Sequence, residues 1–186
     1  LEDIDGLENW FKKLIKTEPT NTTYKVDYLV FIKKYKKPKE VEKAIAKLID
    51  FLKSKPELSE FTAQLLQKNG FITEAKQIFL KNRQMLGDEY IYALELMQIY
   101  KSEHQTALMC QEALKLFLIN QQDKDYLKGI FQDYIQTDED FETFEKIILE
   151  NIEQNPTQSA LNELLIWIYT QKKMFFQATI QAKAFD

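Results

Sequence analysis

Twelve residues separate Ala44 from Pro56, Phe144 from Pro156 and Leu7 from Pro19, and each interval is an apolar-striped helix followed by a stop. Phe144 and Ala178 lie 34 residues apart, and Ala44 and Ala75 lie 31 apart. A repeat at this period constrains the fold more than any other feature, because one helix pair has more apolar surface than it can bury alone. Neighbouring pairs must stack, so the predicted architecture is an all-α solenoid of two-helix units rather than one closed globule.

Residues 3 to 17 carry Ile4, Leu7, Phe11, Leu14 and Ile15 on one helical face. The run from Thr17 through Pro19 to Thr22 ends that helix and supplies a cap for the next, predicted from Tyr24 to Lys36. Pro38 suits the first position of a new helix, where its missing N–H has no partner anyway. Val41, Ala44, Ile45, Leu48, Phe51 and Leu52 form the stripe that runs to Pro56. Gly70, between the faces of Leu65–Leu66 and Ile72–Phe79, is predicted to have positive φ and to turn the chain between paired helices.

After Gly87-Asp88 come helices over Tyr90–Tyr100 and about Gln105–Leu118. Gln121-Gln122-Asp123 opens a further pair, with Asp138 as the expected cap of its second helix, and Asn155-Pro156-Thr157 leads to the last. About eleven helices result, joined by short connections that force sequential helices to pack antiparallel. The expected organisation is a half repeat at 1–19 and repeats at about 22–56, 57–87, 88–120, 123–156 and 157–186. The fourth unit has an ambiguous register, because Tyr100 to Ala107 is two residues shorter than Tyr169 to Ala178. Ala44, Ala75 and Ala178 are expected at tight helix crossings, and Phe144 where helices stand further apart or shift in register.

The bulky first-helix residues, small second-helix residues and closing prolines resemble the tetratricopeptide repeat family, whose unit is about 34 residues. Leu165, Tyr169, Phe175 and Ala178, with Pro156 before them, carry the resemblance most clearly; Phe31, Tyr35, Ala44 and Pro56 repeat it, as do Gly70, Ala75 and Phe79. Ile32, Gln132 and Ile166 depart from it where the family usually has glycine, and Phe144 replaces a small residue. The resemblance implies a right-handed superhelix whose first helices line a concave groove for a protein or peptide. Carried over residue by residue, that groove comprises Lys33, Lys36, Lys37, Gln64, Gln67, Lys68, Gln98, Lys101, Tyr126, Asp133, Glu163 and Trp167. The carboxylate clamp of some cytosolic members is not present as a set. The flavour of the repeats also resembles bacterial envelope members, which implies a periplasmic or envelope location ahead of a cytoplasmic one.

Catalytic chemistry has little to build on. His104 is the sole histidine, and Cys110, six residues on, would lie nearly opposite it on a shared helix. A lone Cys cannot form an intrachain disulfide, and a metal site lacks a second His or Cys. No Gly-rich phosphate loop occurs, so no enzyme activity and no cofactor are expected. A net charge of -4 gives no general attraction to nucleic acid, and no apolar run is long enough to cross a bilayer.

Lys33, Lys34, Lys36, Lys37 and Lys39 form the one dense charge cluster. It has two readings: lysines favoured at a helix C-terminus without any ligand, or a patch for an acidic partner. The expected function is a non-catalytic binding scaffold for a protein or peptide. The alternative is a regulatory or carbohydrate-binding module with a small-molecule pocket near Tyr126 and Trp167. Leu7, Phe11, Leu14 and Pro19 match a second helix with no first helix before it, so the chain is expected to be a segment of a longer solenoid. Trp10, Phe11, Phe175, Phe176 and Phe185 leave apolar ends that further repeats or a second copy would cover.

Overall fold

The computed structural model describes residues 3–35, 38–120 and 122–185. Among these it has eleven α-helices and no strand: α1 (Ile4–Thr17), α2 (Thr22–Tyr35), α3 (Pro38–Ser54), α4 (Ser59–Lys68), α5 (Ile72–Leu86), α6 (Ala93–Ser102), α7 (Thr106–Ile119), α8 (Lys124–Tyr134), α9 (Asp138–Gln154), α10 (Ser159–Gln171) and α11 (Phe175–Phe185). The chain divides into two compact units, Leu1–Asp88 and Glu89–Asp186, and the division falls at the Gly87-Asp88 turn.

In the first unit Asp3 caps α1, its carboxylate accepting the Gly6 N–H at 2.8 Å. The helix stops where the Thr17 hydroxyl donates back to the carbonyls of Lys13 and Leu14. Phe11 meets Phe31 at 5.4 Å between ring centroids and joins α1 to α2. Val26, Leu29 and Ile32 are buried where α2 packs against α1, α3 and α4. Pro38 takes the first position of α3, as expected. Pro56 does more than stop a helix: it opens a single 3-10 turn, Pro56–Leu58, that leads into α4.

The α4–α5 turn shows how these pairs close. Gly70 has φ 75°, its N–H donates to Gln67 O at 3.1 Å, and the Phe71 N–H reaches back to Leu66 O at 2.9 Å. That pair of hydrogen bonds satisfies carbonyls that would otherwise be orphaned at the helix end, and Phe71 and Leu66 are both buried there. The same two bonds recur around His104 (φ 56°), to Lys101 and Tyr100, and around Lys173 (φ 57°), to Thr170 and Tyr169. Gly70 and His104 are 34 residues apart, so the repeat is written in backbone conformation as well as in side-chain size.

This motif resolves the register of the fourth pair. Tyr100 and Tyr169 both accept the bond of the turn that spans five residues, and nine residues beyond them stand Met109 and Ala178. Met109 therefore takes the position of Ala75 and Ala178, and it is fully buried, whereas Ala107 is exposed. Ala75 and Ala178 are buried as expected. Ala44 is not: it is half-exposed and lines an open cleft, because α3 buries only Leu48 and Leu52 at its far end.

In the second unit α6 starts at Ala93 rather than Tyr90, since Tyr92 has φ 60° and cannot be part of a right-handed helix. Its partner α7 carries the buried Met109, Ala113 and Phe117. Phe131 of α8 is the hub of this core, about 6 Å from the rings of Phe117, Phe144 and Trp167. The α8–α9 turn lacks a left-handed residue and is closed by side chains instead. Thr137, not Asp138, caps α9: its hydroxyl accepts the Asp140 N–H, and Asp140 accepts the Thr137 N–H in return, each at 3.1 Å. Apolar side chains stay exposed on α1 (Leu7, Trp10) and on α11, where Phe176 is 74% exposed.

Candidate functional site

The residues expected to line a groove fall in both units, and the structure treats them differently. In the first unit Lys33 spans from α2 to the α4–α5 turn, donating to Gly70 O at 3.3 Å with its ammonium 4.4 Å from the centre of the Phe71 ring. Gln64 and Lys68 are exposed on α4 and Gln67 is half-buried. Lys36 and Lys37 lie outside the described residues. Of the remaining cluster, Lys34 sits over Tyr35 and Lys39 is exposed. Lys33 and Lys34 are thus engaged with their own fold.

In the second unit Lys101 is a structural residue. Its ammonium donates to Tyr134 O and lies 3.3 Å from the Asp140 carboxylate. Asp140 is 5% exposed and also accepts the Gln136 N–H at 3.1 Å. Burial alone would raise its pKa, but the Thr137 and Gln136 N–H groups, the Thr137 hydroxyl and Lys101 outweigh burial and hold it below the ordinary carboxylate value. Gln98 is half-buried on α6.

A half-buried arrangement joins α8 and α10. Glu163 lies 2.7 Å from Lys124 and 2.7 Å from Lys128, so one carboxylate bridges two lysines a turn apart. Burial works against its charge, and the two ammonium groups overcome that and lower its pKa. One turn on, Trp167 packs edge-on against Phe131 at 6.2 Å, and Gln132 donates to Gln171 at 3.3 Å. On the opposite side of α8 from this ladder, Tyr126 is 72% exposed and Asp133 is exposed. Lys124 and Lys128 were not among the expected residues; an i,i+4 lysine pair on one helix is the signal that marks them. Tyr126 and Trp167 do not share the fate expected of a pocket, one projecting into solvent and the other packed on a core ring.

His104 occupies the exposed turn described above, while Cys110 is fully buried with its thiol 3.8 Å from Asp140 O. Burial, reinforced by the Asp140 charge, pushes the Cys110 thiol up to about 12, so it stays protonated at neutral pH and is unsuited to nucleophilic attack. Among the described residues no group of three or more His, Cys, Asp or Glu could hold a metal ion. No helix there is long and apolar enough to cross a membrane.

A cleft of about 460 Å³ opens in the first unit between α1, α2 and α3. It is lined by Lys12, Lys25, Lys43 and Lys47, with Glu40 the one acidic group, over Ile15, Tyr28, Ala44 and Leu48. These lysines are scattered through the sequence, and only the packing of three helices brings them together. Comparison of the chain with models of known families, with curated proteins and with solved structures finds no match.

Proposed function

We propose that the chain is a non-catalytic scaffold of the tetratricopeptide kind, a right-handed superhelix of antiparallel helix pairs that binds a protein or peptide on its first helices. The observation that carries this reading is the ladder on α8 and α10. Glu163 with its two lysines, and Trp167 on Phe131, fix two neighbouring first helices side by side. Helices already held together lose little freedom when a partner docks on the exposed side of α8, which favours binding. Tyr126 and Asp133 stand about two turns apart on the exposed side of α8, turned away from that ladder: an aromatic and a carboxylate able to anchor an extended polypeptide. The recurring turn at Gly70, His104 and Lys173 supports the repeat reading independently.

Selection from a displayed peptide library tests the proposal. Selected peptides should lose about ten-fold or more in affinity on Tyr126→Ala with Asp133→Lys, while the melting curve stays that of the parent. Peptides that bind the double variant equally well, or a selection that yields none, would refute the docking face. X-ray scattering from the chain in solution tests the superhelix, which requires an elongated curved envelope.

A further inference from the structure

The cleft between α1, α2 and α3 has the chemistry of an anion site that the scaffold reading does not use. Four lysines and one glutamate line it, in a chain whose net charge is -4. Field lines from like charges around a low-dielectric hollow concentrate there, so the local potential opposes that of the whole molecule. Lys12 is partly neutralised by Glu8 at 2.5 Å, a carboxylate that also accepts the Tyr28 hydroxyl at 3.3 Å. Lys25 is half-buried over the Phe51 ring at 4.3 Å, and burial lowers its pKa.

Lys43 and Lys47 stand one turn apart on α3, and neither has an ion pair among the described residues. Like charges at that spacing repel, a cost that an anion held between them would reverse. Beneath them Ala44 leaves room that a larger side chain would fill, and Ile15, Leu48 and the Tyr28 ring give an apolar floor. The volume lies within the range of about 300–1,000 Å³ typical of small-molecule sites. Ammonium groups act as compact point charges and suit phosphate or clustered carboxylates without a fixed bidentate geometry.

We propose that this cleft binds a small, multiply charged organic anion, its phosphate or carboxylate groups on Lys25, Lys43 and Lys47 and a compact body on the Ile15–Ala44–Leu48 floor. The site is independent of the first-helix docking face, so either can fail without the other.

Titration calorimetry of the full chain at about 20 mM salt tests it, where surface charges are least screened. Two probes separate the possible sources: tripolyphosphate for phosphate, benzene-1,3,5-tricarboxylate for carboxylate on an apolar body. At least one should bind saturably at one site, and Lys43→Gln with Lys47→Gln should weaken it about ten-fold or more. Lys53→Gln with Lys55→Gln, two lysines of the same unit outside the cleft, should leave binding unchanged. Ala44→Trp should fill the hollow and abolish it in a protein whose circular dichroism is unaltered. Failure of both probes to bind, or equal weakening by the two lysine pairs, would overturn the proposal and leave only diffuse attraction to surface charge.

Discussion

Lys101 and Asp140 meet at 3.3 Å, and this contact ties the end of α6 to the start of α9. The carboxylate is at the same time half of the capping box of α9 and the acceptor for the Gln136 N–H. Replacing Asp140 by Ala removes all of these and leaves the Thr137 and Gln136 N–H groups without their acceptor. The expected loss is about 2–4 kcal/mol, more than a cap alone provides. Urea denaturation with the slope unchanged measures it; a loss within about 0.5 kcal/mol, the range of an ordinary surface substitution, would show that the network carries little.

Asp140 and Glu163 also set the acid limit. Both pKa values are lowered in the folded chain, from ordinary values of 3.8 and 4.5. The unfolded chain therefore takes up these protons first as the pH falls. Their stabilisation is complete above about pH 5 and is lost progressively below it. Melting temperature measured from pH 6 to pH 3 should fall, and Asp140→Asn with Glu163→Gln should flatten that fall while lowering stability at pH 6.

Cys110 gives the opposite limit. Its ordinary value of 9.0 applies to the unfolded chain, whereas the folded thiol holds its proton to about 12. Above pH 9 the unfolded state loses the proton and the folded state keeps it, so stability falls as the pH rises. Below that pH the buried thiol should resist a soluble disulfide reagent until the chain unfolds, and rapid labelling of the native protein at pH 8 would contradict its burial.

His104 and Lys173 bear the strain of a left-handed conformation that side chains disfavour. Glycine at either position should stabilise the chain by about 0.5–1 kcal/mol, and Gly70→Ala should destabilise it by about 1 kcal/mol. Thermal melts of the three variants give the comparison. A His104→Gly protein less stable than the parent would mean that the His104 side chain contributes more than its backbone costs.

Ala75 and Ala44 should respond differently to the same enlargement. Ala75→Leu meets a fully buried position and should destabilise by about 1–3 kcal/mol. Ala44→Leu opens onto the cleft and should change stability by less than about 0.5 kcal/mol. Equal losses at both sites would place Ala44 in a packed crossing.

The helices were legible because apolar side chains recur at helical spacing, and Pro38 and Gly70 mark positions whose backbone chemistry admits few alternatives. His104 and Lys173 give no such sign: neither is glycine, and the turns close through their own N–H bonds to Lys101 and Thr170 and those of Gln105 and Met174 to Tyr100 and Tyr169. Counting from Ala107 leaves the register of the fourth pair ambiguous, because side-chain size is the guide there, while the fixed quantity is the distance from the turn. The lysines near Lys33 are dense in sequence, yet Lys33 and Lys34 engage Gly70, Phe71 and Tyr35 of their own fold. The lysines of the cleft come from three helices, and nothing local announces that they converge.

Two backbone hydrogen bonds define the turn at Gly70, His104 and Lys173, and neither needs a particular side chain. Substitution can therefore erase the written trace of a repeat at such a corner while its shape persists. The α8–α9 corner holds no such freedom, because Thr137 and Asp140 supply its bonds themselves. Sequence divergence should accumulate at the first kind of corner and halt at the second, so that a chain of this architecture ages unevenly along its length.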